Sequence, residues 1–214
     1  MSLNFGKDVK TYQLAVEYLL LFKAEGVTQA LLESYLDYNQ ANARPETLQG
    51  LYKRLLESGQ NAGMMPKVIG GSIGGFERLS LALDDFNPKF VIDSFGDNNV
   101  LLLDTIISKL QPEGKVRRTS RSIWPKYCQT ILSSAHFISQ FESATDFYAW
   151  ADFFDQDERA RPALPMLLSS EIIGFGFALS CDFLKEIGYI NFGKPDVHIF
   201  DIFKGLGLSK PDAN

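Results

Sequence analysis

Cysteine and histidine are scarce in this chain of 214 residues, with two of each: Cys128 and Cys181, His136 and His198. Two thiols cannot make a framework of bridges, nor fill the four ligand positions of an iron–sulfur cluster. Two histidines without a Cys pair are too few for a zinc-type site, so neither a metal nor a cofactor is expected. Long apolar runs are missing too. The longest, Tyr18 to Phe22, falls far short of the ~20 residues that span a bilayer. No basic-then-apolar leader opens the chain. The expectation is a reducing, cytoplasmic setting with no membrane partner. Strict apolar/polar alternation is absent, which argues against a sheet, and so is the Gly-x-Ser-x-Gly elbow of a serine hydrolase. Gly70-Gly71-Ser72-Ile73-Gly74-Gly75 has the glycines of a phosphate loop without the Lys-Ser/Thr that completes one. It reads as a loop ahead of a helix.

What is present is helical periodicity. Leu14, Tyr18, Leu21 and Phe22 share one face of a helix over Val9–Lys23, and Leu31, Leu32, Tyr35 and Leu36 repeat the pattern over Thr28–Tyr38. Pro45 suits a helix start and Gly59 its end. Asn87-Pro88 reads as a cap and first turn, Asp97 as the cap of Val100–Leu110, and Ser143-Ala144-Thr145-Asp146 as a capping box. His136 falls inside an apolar helix and reads as a partnered core or boundary side chain. The fold class is therefore an all-α bundle of roughly nine to eleven helices. It forms one helical unit over residues 1–214, with room for two lobes. Segment 111–122 is the one long connection, the kind of loop that often carries function.

The net charge is −5, against an indiscriminate nucleic-acid coat. Charge is nonetheless segregated. Lys115, Arg117, Arg118, Arg121 and Lys126 stand against Glu113 alone. Farther on, Glu142, Asp146, Asp152, Asp155, Asp157 and Glu158 have no base among them. In the first cluster, Lys115, Arg117, Arg118 and Arg121 are candidates for phosphate contact, with Trp124 and Tyr127 as candidates for stacking on a base. Alternatively, these are a solvated basic loop and ordinary core aromatics.

The C-terminal quarter carries the most specific pattern. A helix over Leu164–Ser170 breaks at Glu171-Ile172-Ile173-Gly174-Phe175-Gly176, and a second helix runs from Phe177 to Gly188. Gly174 and Gly176 suit a tight hairpin whose backbone N–H groups, with the following helix start, can hold a phosphate. Then comes Lys194-Pro195-Asp196-Val197-His198-Ile199, in which Asp196 reads as a helix N-cap or as a carboxylate at the mouth of a cleft.

Gly-x-Gly, an amphipathic helix and this Asp-Val-His run resemble the helix-hairpin-helix DNA glycosylase superfamily, nearest its oxoguanine branch. The likeness covers residues 164–208, and Gly176 and Asp196 are twenty apart, as in that family's spacing. The resemblance implies a two-lobed, all-α glycosylase-like fold with Asp196 as catalytic carboxylate. It further implies Gly174, Phe175 and Gly176 as the DNA-gripping hairpin and His198 near the DNA backbone. Bifunctional members carry a lysine two residues after the second glycine, where this chain has Ala178, so a water nucleophile is expected. The expected function is a monomeric base-excision repair enzyme, a monofunctional hydrolase acting on double-stranded DNA with a damaged base. The rival readings are a non-catalytic nucleic-acid-binding member of the same fold and a helical protein-interaction module using the acidic Glu142–Glu158 face.

Overall fold

The computed structural model describes residues 5–34, 44–62 and 66–205. Among these, every regular element is helical, and no helix is long and apolar enough to cross a membrane. The chain divides into two compact units, at Ala43 and Arg44.

The first unit contains α1, Phe5–Leu20, a tight turn at Lys23–Glu25 closed by Gly26 at φ +88°, and a helical stretch over 29–34. Thr28 caps that stretch by accepting the Leu31 N–H at 3.1 Å. Residues 35–38 of the expected second helix lie outside the described residues. The periodic face exists, but Leu14, Tyr18 and Leu21 are all exposed. A regular apolar stripe determines where a helix forms, not whether that face is covered.

The second unit holds the core. Its helices are α2 (Leu48–Gly59), α3 (Ser80–Leu83), α4 (Pro88–Phe95), α5 (Asn99–Leu110), α6 (Ile123–Ile138), α7 (Ala144–Asp155), α8 (Ala163–Glu171), α9 (Phe177–Glu186) and α10 (Val197–Gly205). Capping chemistry explains most of the boundaries. Asn87 accepts the Phe90 N–H with Pro88 in the first turn, as the sequence implies. Ser143 accepts the Asp146 N–H, and Asp146 reaches back to the N–H of Glu142, one residue beyond the usual box. Two expectations need correction. The cap of α2 is Thr47 rather than a start at Pro45, and the cap of α5 is Asn98 rather than Asp97. In both cases a neighbouring polar side chain lies closer to the orphan N–H groups of the first turn.

Helix α6 is the axis of this unit. Eleven of its residues are buried, on most of its circumference, because α2, α4, α5 and α8 all pack on it. Tyr52 on α2 donates to the Ile131 carbonyl at 3.0 Å, and Tyr127 on α6 donates to the Leu56 carbonyl at 2.9 Å. These reciprocal bonds satisfy two phenols that burial otherwise penalises. A second nucleus forms where Phe137, Phe141, Phe147 and Trp150 meet, with neighbouring ring centroids 5.2–6.4 Å apart. The stretch from Pro66 is a compact double turn. The Gly75 N–H donates to the Gly70 carbonyl at 2.8 Å, while Ile69 and Ile73 are buried.

Candidate nucleic-acid interface

The hairpin between α8 and α9 is built from both sides. Ile172 is buried, and Gly174 turns the chain at φ +91°, a conformation that disfavours a side chain. Helix α9 starts at Phe177 with Gly176 at its cap and no capping side-chain hydrogen bond, so the cap leaves its first-turn N–H groups without a side-chain acceptor. Helix α6 fixes the turn from beneath. Thr130 Oγ1 donates to the Ile173 carbonyl at 2.7 Å, and Ser133 Oγ accepts the Ile173 N–H at 3.0 Å. A Cβ on Gly174 would stand 2.7 Å from Thr130 Oγ1. Phe175 does not form an exposed tip. Its N–H donates to the Ile172 carbonyl at 3.1 Å, and its ring is buried close to Gly59. The outward apolar side chains of the hairpin are Ile173 and Phe177.

Loop 111–122 leaves α5 through Gln111 at φ +48° and is tied down at Glu113, whose N–H donates to the Ser72 carbonyl at 2.7 Å. Lys115, Arg117 and Arg121 line one open recess of about 560 Å³ together with Val68 and Ile123. Arg118 is set apart from them, because its guanidinium pairs with Asp104 on α5. A second recess, of about 310 Å³, is lined by Ile69, Ile123, Lys126, Tyr127, Thr130 and Gly174 among others. The two share Ile123 as a lining residue, which places the basic loop and the hairpin on either side of it. Trp124 and Tyr127 are each 4 % exposed. Their rings pack edge to face in the core, and this burial leaves no open ring face for a stacked base.

Asp196 opens α10. Its Oδ1 accepts the Ile199 N–H at 3.1 Å, and its carbonyl accepts the Phe200 N–H at 3.0 Å, the geometry of an N-cap. It is half-buried and borders neither recess. The approach to it is well anchored. Tyr189 donates to Asp152 at 2.6 Å, Asn191 to Asp155 at 3.0 Å, and Lys194 Nζ lies 3.6 Å from the buried Asp182 carboxylate. The motif region 164–208 is described as far as Gly205. The His198 backbone lies in α10, and its side chain falls outside the described residues.

The acidic run is partly engaged by the fold, while Glu142, Asp146, Asp157 and Glu158 stay exposed. Asp146 caps, Asp152 holds Tyr189 and pairs with Arg44, Asp155 pairs with Arg161, and Asp157 accepts the Arg159 N–H. Arg44 lies between the rings of Tyr148 and Tyr189, 4.9 and 4.7 Å from their centroids. His136 is exposed rather than in the core, with Nε2 3.3 Å from Asp97. The thiols offer no nucleophile, since burial pushes Cys128 up to about 12 and Cys181 up to about 11.

Four residues at this surface were not singled out as site residues from sequence: Gln60, Lys126, Thr130 and Ser133. The last three recur at spacings of four and three on α6, so they share a face. That pattern is visible in the sequence, but nothing local says that the face meets a hairpin 40 residues away. No family model, no curated protein and no solved structure matches the chain.

Proposed function

We propose that this protein binds the phosphate backbone of double-stranded DNA with loop 111–122 and the α8–α9 hairpin, and cuts a damaged base from its sugar with Asp196. The observation that carries the reading is the shared wall at Ile123. On one side of it stand Lys115, Arg117 and Arg121, and on the other stand Lys126 and Gly174. A strand passing from one recess to the other meets concentrated positive charge and then backbone N–H groups, the two kinds of contact that position a protein on DNA. In a chain of net charge −5, that concentration is selective.

The excision half rests on the resemblance and on the position of Asp196, twenty residues after Gly176 at the start of α10. A carboxylate stabilises positive charge growing on the sugar and activates an incoming water. The protein-interaction module stands as the rival reading, since Glu142, Asp146, Asp157 and Glu158 keep an exposed acidic face.

Duplexes carrying single damaged bases test both halves. Binding is expected to weaken steeply with salt, and free base is expected from the wild type but not from Asp196→Asn. Salt-dependent binding without base release on any lesion would favour the second reading, a non-catalytic DNA-binding protein, for which the position of Asp196 outside both recesses speaks. A protein that binds no duplex even at low salt would overturn both.

A further inference from the structure

Lys115, Arg117 and Arg121 of loop 111–122 line one recess, and none of the three makes an ion pair or a side-chain hydrogen bond among the described residues. All three are exposed. No carboxylate lines the recess with them. Arg118, in the same loop, shows the alternative, since its guanidinium is paired with Asp104. Like charges gathered without a counter-ion repel one another, and an anion placed between them removes that repulsion.

The start of α6 lines the same recess through Ser122, Ile123 and Trp124. Ser122 stands at the N-cap, but its hydroxyl lies 2.6 Å from the Thr119 hydroxyl and accepts no N–H of the first turn. Pro125 has no N–H to offer, and the Lys126 N–H donates to the Ser122 carbonyl at 3.2 Å. The Ile123 and Trp124 N–H groups are left without an acceptor among the described residues. Two open donors and the positive end of a helix of 16 residues therefore add to the three cations.

A phosphate inside a strand carries one charge and offers two unesterified oxygens. A phosphate at a strand end carries nearly two charges at neutral pH and offers three such oxygens. Three cations and two N–H groups around a single recess of about 560 Å³ exceed what the first kind can satisfy and match the second. We infer that this recess is a site for the terminal phosphomonoester of a DNA strand. The substrate class is then duplex interrupted by a gap or a nick, because an unbroken duplex reaches these side chains only through diester oxygens. The inference rests on the DNA-binding reading above. Asp196 does not line the recess, so capture of a strand end is separable from excision.

The test measures affinity for a gapped duplex whose strand ends in a phosphate, in a hydroxyl, or in the methyl ester of that phosphate. Each is made with the group at the 5′ side and at the 3′ side of the gap. Wild type should bind the phosphate at one of the two sides about tenfold more tightly than the hydroxyl, through added charge-assisted hydrogen bonds. The methyl ester, which keeps one charge and two open oxygens, should bind within about threefold of the hydroxyl. For each variant the quantity read is the ratio of phosphate to hydroxyl affinity. Lys115→Gln and Arg121→Gln should bring it close to unity, whereas Arg118→Gln should leave it at the wild-type value. Ser122→Asp guards against loss of fold, because a carboxylate at the N-cap stabilises the helix start. It should abolish the preference without lowering the melting temperature. Equal wild-type affinity for phosphate and hydroxyl ends at both sides overturns the inference and leaves DNA binding standing. So does a methyl ester bound as tightly as the phosphate, or a folded Arg121→Gln or Ser122→Asp that keeps the full preference. Failure to bind any of these duplexes at low salt removes the DNA-binding reading, and this inference with it.

Discussion

The Thr130 hydroxyl on α6 donates to the Ile173 carbonyl in the α8–α9 hairpin at 2.7 Å, across 43 residues of chain. Three residues on, Ser133 takes the N–H of that same Ile173. One residue of the hairpin, Ile173, is therefore held at both of its backbone polar atoms by a helix that begins at the end of the basic loop. The two parts of the candidate interface are fixed to a single rigid element.

This arrangement sets the first prediction. Thr130→Val keeps the side-chain volume and leaves the Ile173 carbonyl without its donor. The expected cost is roughly 1–3 kcal/mol, or about 2–4 °C of melting temperature per kcal/mol for a chain of this size. Gly174→Ala should cost a similar amount, because its Cβ meets Thr130 Oγ1 and its φ is +91°. Two substitutions that strain the same contact are expected to couple. The double variant Gly174→Ala with Thr130→Ala should lose less than the sum of the single losses in urea melts. Strict additivity would mean that the hairpin is not braced at this point.

The guanidinium groups of loop 111–122 should divide in function. Arg117 and Arg121 face the recess, whereas Arg118 is engaged with Asp104. Arg117→Ala or Arg121→Ala should reduce the slope of log affinity against log salt by about one, as loss of a single phosphate contact does. Arg118→Ala should leave that slope nearly unchanged. Its pair is exposed and contributes little to stability. Anisotropy titrations over a range of salt measure all three, and an Arg118→Ala slope change as large as the others would show that the Asp104 pair opens on DNA.

Local chemistry was legible in the sequence, and long-range geometry was not. Asn87 and Ser143 were readable as caps because a cap is a contact over three residues. Asp97 failed as a cap by one position, since Asn98 is equally able to cap and only the turn decides which side chain reaches the Leu101 N–H. Trp124 and Tyr127 sit with Cys128 and Ile131 at spacings of three and four, which is a core signature. Their place beside five bases made a surface role look equally open. That the hairpin meets the basic loop depends on α6 bringing Lys126 and Thr130 to Gly174, and no local pattern encodes that meeting. For Asp196, the local reading as a cap and the resemblance to a catalytic carboxylate are compatible, because one side chain can do both.

Alkaline stability should fall in a defined window. Burial pushes Cys128 up from its ordinary 9.0 to about 12, and Tyr52 and Tyr127 well above 10.0. A folded pKa raised above the unfolded one means that the native state keeps its proton longer. Stability is then full below about pH 9 and is lost as pH rises toward 12. Each such group can contribute a slope of up to about 1.4 kcal/mol per pH unit. Urea midpoints should be level from pH 7 to 8.5 and decline beyond it. Cys128→Ala should flatten the first part of the decline, and a midpoint unchanged to pH 11 would contradict the burial argument.

The last prediction concerns the nucleophile. Schiff-base chemistry at a sugar needs an amine beside the reacting carbon. Ala178 stands where the bifunctional relatives of the resembled family have their lysine, and it offers none. The nearest lysines in sequence are both committed. Lys185 Nζ lies 3.0 Å from Glu186 and 3.8 Å from Asp182, and Lys194 Nζ lies 3.6 Å from the other oxygen of Asp182. Asp182 is only 8 % exposed. Drawing either amine away would leave a nearly buried carboxylate with half its compensation, which is unfavourable. Borohydride added to protein and damaged duplex should therefore trap no covalent complex, and the excised strand should remain intact at its abasic site. Asp182→Asn releases Lys194, while Lys185 keeps its Glu186 partner, and gives the control. If a trapped band appears only in that variant, the carboxylate is what withholds the amine. A strong band in the wild type that disappears with Lys194→Ala would instead make Lys194 the nucleophile and the enzyme bifunctional.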